Sequence, residues 1–253
     1  MSQYYTGKRT RNIFDPSSGE PFALSRSRLE NFMKCRRCFY LDRRLGVDQP
    51  PGFPFSLNSA VDALLKKEFD VHRAAQSRHP LVQTYGIDAV PFAHAMMNVW
   101  RDPFKGVQYL HQTTNFLVTG GVDDLWQNSA GELHVVDYKA TAKNGEVNID
   151  AEWQGGYKRQ IEIYQWLFRQ NGFKISDIGY FVYVNGRTDK EAFDGKLEFD
   201  VKIIPYKGDD SWVEQTLKDA KACLVSNTLP DPDPSCDFCI YRSAVARAEN
   251  PRA

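Results

Sequence analysis

At 253 residues the chain can hold one large α/β domain or two small ones, and 42% hydrophobic content with 13% aromatics supplies a core, so we expect one compact domain. Its 32 basic and 32 acidic residues cancel, which excludes a global positive field drawing it to nucleic acid, although a basic groove can be offset by acids elsewhere. No apolar run reaches membrane-spanning length and the opening MSQYYTGKRTRN lacks a signal-peptide core, so the expectation is a soluble cytoplasmic protein with no membrane partner.

The polar start, punctuated by Gly7, Pro16 and Gly19, predicts an arm over residues 1–24, with the domain over 25–253. Ser27-Arg28-Leu29-Glu30 is a capping box and predicts a helix facing Leu29, Phe32, Met33, Phe39 and Tyr40 inward. It carries Cys35-x-x-Cys38 and the most basic segment of the chain, in which Arg36 and Arg37 either contact phosphate or belong to a solvated face. Pro50 to Pro54 reads as a linker, after which Ser56 or Asn58 caps a helix to about Ala74. On that helix Asp62 shares a face with Leu65 and Phe69, so its charge needs either a metal or Lys66, one turn on. His72 and His79 are poorer ligand candidates, at a helix end and in a loop. Phe92 to Trp100 predicts a short helix with Ala93, Met96, Met97 and Trp100 as core, and Val107 to Leu117 a strand.

Val118 to Trp126 and Glu132 to Lys139 predict a hairpin about the turn Asn128 to Gly131. That pairing brings Asp123 close to Asp137. Strand alternation puts Asp137 and Lys139 on one face and Val136 and Tyr138 on the other. Two close carboxylates repel unless a cation lies between them, and hard oxygens suit Mg²⁺ or Mn²⁺. An isolated Asp-x-Lys is also what any exposed strand shows. Asp150 to Gln170 predicts a helix with Trp153, Tyr157, Ile161, Tyr164, Leu167 and Phe168 as its apolar stripe, and Gln160 and Tyr164 share a face. Ile178 to Val184 reads as a central strand ended by Asn185-Gly186, Leu197 to Ile204 as another, and Trp212 to Val225 as a helix in which Cys223 is a small core residue. After a proline-rich loop comes Cys236-x-x-Cys239; in a cytosolic protein paired C-x-x-C motifs ligate metal more often than they form disulfides, the alternative being four buried, inert thiols. The order of elements predicts an α/β fold with a mixed central sheet flanked by helices and its termini joined by a four-cysteine centre.

The ordered series Gly121-x-Asp123, Asp137-x-Lys139 and Gln160-x-x-x-Tyr164 resembles the RecB-type branch of the PD-(D/E)XK nuclease superfamily, over about Ser25 to Arg242. The resemblance implies a restriction-endonuclease-like core and Mg²⁺ or Mn²⁺ held by Asp123, Asp137 and the Tyr138 carbonyl. It also implies that Lys139 serves the attacking water, and that Gln160 and Tyr164 position Lys139 or a substrate phosphate. In that branch the helix before the core usually carries a metal-binding histidine in a G-x-x-x-H-like context; Asn58-Ser59-Ala60-Val61-Asp62 stands here, with Asp62 in the ligand's place. Phe39-Tyr40 after Cys35 is similar to the motif of an iron-sulphur-bearing group that includes the AddB nuclease domain and the exonucleases of CRISPR adaptation. That likeness implies a [4Fe-4S] cluster bound by one cysteine before the core and three after it. This chain has two on each side and none near Val245, so Cys38 takes the fourth place, and the paired spacing equally suits tetrahedral Zn²⁺. The implied activity is exonucleolytic hydrolysis of single-stranded DNA, with partners in DNA repair or CRISPR adaptation. The alternatives are a catalytically weak or inactive nucleic-acid-binding scaffold subunit and a zinc protein with no nuclease site.

Overall fold

Amphipathic runs fold as helices and β-branched and aromatic runs as strands in this computed structural model, which describes residues 7–52 and 56–250. In chain order the elements are β1 (Phe22–Ser25), α1 (Arg26–Lys34), α2 (Arg36–Arg43), α3 (Ser56–Ala75), α4 (Pro80–Thr84), β2 (Val90–Pro91), α5 (Met97–Arg101), β3 (Val107–His111), β4 (Phe116–Gly120), β5 (Asp124–Gln127), β6 (Leu133–Thr141), α6 (Gly155–Gln170), β7 (Ile178–Gly186), β8 (Phe199–Lys207), α7 (Val213–Val225) and α8 (Asp237–Glu249). The fold is mixed α/β, with a three-stranded sheet ordered β1-β4-β3 and a five-stranded sheet ordered β2-β5-β6-β7-β8. The described residues divide into two compact units, one of 7–52, 110–118 and 212–250, the other of 56–109 and 119–211.

The second unit is built on the five-stranded sheet. β5 and β6 pair antiparallel, β6 and β7 parallel, and β7 and β8 antiparallel. A parallel neighbour requires a crossover, and α6 supplies it. Even-numbered residues of β5 to β7 turn to one face, where Trp126, Val136, Tyr138 and Val182 join Ile203 of β8 and Phe69 of α3 in one core cluster. Phe69 stacks on Trp126 and tilts against Tyr138, with centroids 5.3 and 5.7 Å away. α6 covers the opposite face so closely that a Cβ on Gly179 would lie 2.7 Å from Ile161 Cγ2.

Several sequence expectations change. The run Val118 to Trp126 is two strands in different sheets: β4 stops at Gly120, and the Val122 amide turns to the Trp100 carbonyl at 3.0 Å. The Asp150 to Gln170 helix begins with a 3₁₀ turn at Glu152–Gln154, which leaves Trp153 68% exposed and outside the apolar stripe. Phe92 to Met96 is not helical, and Met96 and Ala93 are exposed rather than core.

In the first unit the Ser27 capping box does not form. Ser25 is the N-cap, its hydroxyl bonds the Ser27 hydroxyl at 3.0 Å, and Met33 is 43% exposed. The single helix expected there breaks at Cys35, whose extended backbone lets its sulfur accept the Cys38 amide and start α2. Residues 7–24 are no loose arm: Phe14 is buried with its ring edge-on to Phe22 and Phe116, and Phe22 to Leu24 belong to β1. Residues 1–6 of the expected arm, and Phe53 and Pro54 of the expected linker, lie outside the described residues.

Candidate active site and cysteine centre

The register Asp124↔Val136 places Asp123, the residue before β5, beside Asp137 of β6. The Tyr138 amide donates to Asp123 Oδ2 at 2.9 Å, fixing that carboxylate against the β6 backbone. Asp137 is buried, with 1% of its side chain exposed, and forms an ion pair with Lys139, two residues on and on the same face. Lys139 Nζ also lies 3.5 Å from Gln160 Oε1 and 4.7 Å from the centre of the Tyr157 ring. Gln160 Nε2 donates to the Tyr164 hydroxyl at 3.4 Å, and that hydroxyl donates to the Gly121 carbonyl at 2.6 Å. The contacts therefore run from Asp137 through Lys139, Gln160 and Tyr164 to the loop that carries Asp123. Gly120 makes room for this chain, because a Cβ there would lie 2.5 Å from the Tyr164 ring.

Asp62 joins from α3. Lys66 Nζ donates to Asp62 Oδ2 at 2.8 Å and to Asp123 Oδ1 at 3.2 Å, so the expected intrahelical pair forms and extends to the candidate site. Burial, and then the Asp123 charge, hold the Asp62 carboxyl above its usual range. Burial works to lower the Lys139 pKa, but the Asp137 and Asp123 carboxylates outweigh it and the pKa is raised. The two carboxylates thus favour the charged form of Lys139, which suits it to orient a water or offset developing charge. His72 bonds Ser77, and His79 bonds Glu68 while its ring stacks on Phe69; neither reaches the carboxylates.

A second network was missed in the sequence. Asp124 is fully buried on the opposite face, where it accepts from Arg73 Nη2 at 2.5 Å and the Tyr138 hydroxyl at 2.7 Å and pairs with Arg101 at 3.2 Å. Arg101 Nε also donates to the Asp123 backbone carbonyl at 2.9 Å, so the network anchors Asp123 through its main chain. The signal was the doublet Asp123-Asp124: strand alternation sends one of two adjacent acids to the core face, where it needs a cation.

The four cysteines converge in the first unit. Cys35 and Cys236 are the N-caps of α2 and α8, and Cys38 and Cys239 lie three residues further on, in the first turns. Sγ separations are 3.6 Å for Cys35 and Cys239, 3.7 Å for Cys38 and Cys236, and 4.0 Å for Cys38 and Cys239. All four sulfurs lie within 4.8 Å of one another and no disulfide forms, so the centre can hold a metal. Among the described residues it is the one His, Cys, Asp or Glu group gathered that tightly. Arg36 is exposed above the Phe32 ring, whereas Arg37 holds the Pro230 carbonyl at 2.8 Å. Cys223 is half-buried in α7, as a helix residue apart from the centre.

A sequence model described as the PD-(D/E)XK nuclease superfamily matches residues 23–244. The chain belongs to this superfamily. Among solved structures, this PD-(D/E)XK chain is similar to one titled "Crystal structure of SSO0001", at 19% identity and a TM-score of 0.28, with 50% of each chain covered. The chain thus spans half the length of that protein. No curated protein matches it. Residues Asp123, Asp137 and Lys139 lie well inside the matched range, as do both C-x-x-C pairs. No helix among the described residues is long and apolar enough to cross a membrane.

Proposed function

We propose that this superfamily member is a metal-dependent nuclease of the RecB type that hydrolyses DNA phosphodiester bonds. The observation that carries the reading is the run of contacts joining Asp137, Lys139, Gln160, Tyr164 and the Asp123 loop, which gathers three separate sequence motifs onto one face. The donor set fits a hard divalent ion: Asp123 and Asp137, with the Tyr138 carbonyl, would hold Mg²⁺ or Mn²⁺, and Asp62 is the candidate fourth ligand. Such an ion, when bound, polarises a phosphate oxygen and lowers the pKa of a coordinated water. Lys139 orients the attacking water and stabilises charge developing on the phosphate, and the hydrogen bond from Gln160 to Tyr164 holds the amide that faces it. Single-stranded DNA as substrate, an exonucleolytic mode, a cytoplasmic site and partners in DNA repair or CRISPR adaptation belong to this proposal on the family resemblance, with Arg36 as the candidate phosphate contact.

A second reading, a nucleic-acid-binding scaffold without efficient catalysis, has its own support. Lys66 bridges Asp62 and Asp123, and an aspartate stands where the RecB-type pattern has a histidine. The two are separated by a time course on end-labelled single-stranded and duplex DNA with Mg²⁺, Mn²⁺ or EDTA, comparing wild type with Lys139→Ala. The nuclease reading expects metal-dependent cleavage that falls by at least about 100-fold in the variant, since a lost transition-state contact of this kind costs about 2.7–4 kcal/mol. A folded wild type that is inert under every metal condition overturns it in favour of the scaffold.

A further inference from the structure

The iron-sulphur cluster that the family resemblance implies does not fit the cysteine centre. Four thiolates around one tetrahedral ion with metal–sulfur bonds of about 2.3 Å stand about 3.8 Å apart. The Cys35–Cys239, Cys38–Cys236 and Cys38–Cys239 sulfurs stand 3.6, 3.7 and 4.0 Å apart, and none of the four is more than 4.8 Å from another. A [4Fe-4S] cluster places four irons and four sulfides inside its ring of thiolates, and so forces them well beyond this spacing. We propose that Cys35, Cys38, Cys236 and Cys239 hold a single tetrahedral Zn²⁺ and no iron-sulphur cluster.

The local folding supports a closed, mononuclear site. Both C-x-x-C pairs are placed alike: the first cysteine is the N-cap residue of a helix and the second lies in its first turn, so α2 and α8 direct their N-termini at the centre, although only Cys35 also caps through its sulfur. The Cys38 amide donates to Cys35 Sγ at 3.4 Å, and the positive helix ends complement negative charge on the sulfurs. Four protein ligands leave no open position, which marks a structural ion rather than a catalytic one. Its work is to close a loop of about 200 residues between Cys35 and Cys239, removing freedom from the unfolded chain. This inference is independent of the nuclease assignment, since it rests on residues outside the carboxylate site.

The test is elemental analysis of full-length protein expressed with both iron and zinc supplied and purified without oxygen, together with labile-sulfide assay and visible spectroscopy. The expected result is one zinc per chain, less than about a tenth of an equivalent of iron and no labile sulfide. Replacing the ion with Co²⁺ is expected to give the intense visible bands of a tetrahedral thiolate site. Titration with a mercurial is expected to release the zinc as four thiols react. Cys223→Ser retains the metal, whereas Cys239→Ser loses it; should the latter not fold, the Co²⁺ spectrum and the thiol stoichiometry of wild type still decide. About four irons with four labile sulfides per chain, one iron without sulfide, or a folded chain that takes up no metal each overturns the proposal.

Discussion

Lys66 and Lys139 hold their positions for different reasons. Lys139 pairs with Asp137 on its own strand, where a divalent ion and an ammonium can share a carboxylate by using different oxygens. Lys66 instead binds one oxygen each of Asp62 and Asp123, two of the proposed ligands from different elements, and its own pKa is raised because the Asp123 and Asp62 charges outweigh the lowering by burial. The other Asp123 oxygen already accepts the Tyr138 amide, so an ion gathering both acids competes with that ammonium for Asp123 Oδ1. Lys66→Gln is therefore expected to tighten Mn²⁺ binding by about tenfold, about 1.4 kcal/mol, as measured calorimetrically. Unchanged or weaker binding would remove Asp62 from the ligand set. At this scale the sequence was informative wherever alternation or helical spacing decided the face, as for Asp137, Lys139, Gln160 and Tyr164. It was silent on Lys66 reaching Asp123, because that bond joins residues 57 apart and depends on how α3 lies on the sheet.

Among the elements, the break between β4 and β5 matters most for the site. A hairpin continuous from Val118 would have carried Asp123 as an ordinary strand residue; the turn at Gly120 and Gly121 instead brings a backbone carbonyl to the Tyr164 hydroxyl. Propensity could not locate that break, since Val118 to Trp126 is a good strand sequence throughout and two adjacent glycines were its sole mark. Gly120→Ala places a methyl 2.5 Å from the Tyr164 ring, with Leu167 at 3.3 Å behind it, so the ring must move and its bond to Gly121 weakens. Overpacking of this kind costs about 1–3 kcal/mol of stability. If Tyr164 acts through Gln160 and Lys139, as proposed, rather than by holding a substrate phosphate, the variant is expected to lower kcat for DNA cleavage more than it raises KM. Tyr164→Phe, which loses the hydroxyl without crowding, should reproduce the kcat loss; a Gly120→Ala enzyme with normal kcat breaks the proposed link. The long elements were legible, β7 and α7 nearly to their ends and α6 at its C-terminal end but not its start, whereas α1 and α2 were merged because the Cys35 break uses a sulfur cap that composition does not signal.

For the molecule as a whole, a formal charge of zero hides how unevenly the charges are used. Each unit holds a carboxylate below its usual range by the same means: burial alone would raise Asp70 and Asp48, but Arg73 and Arg101 at the first, and Arg28 at the second, overcome it. A carboxylate whose folded pKa lies below its unfolded value stabilises the fold fully above that unfolded value, about 3.9, and ceases to do so as pH falls through the folded pKa. Protonation of the acids at the same time leaves the 32 basic residues unopposed, so repulsion adds to the loss. Urea midpoints are therefore expected to be nearly flat from pH 7 to about pH 5 and to drop steeply below about pH 4. Asp70→Asn tests the ionic share, because it removes the charge while keeping the shape. At pH 7 it should be less stable than wild type, and the gap should close as the wild-type carboxylate itself becomes protonated. A gap that stays constant from pH 7 to pH 3 would mean that Asp70 contributes through packing or neutral hydrogen bonds, and that acid sensitivity arises from general charge repulsion across the chain.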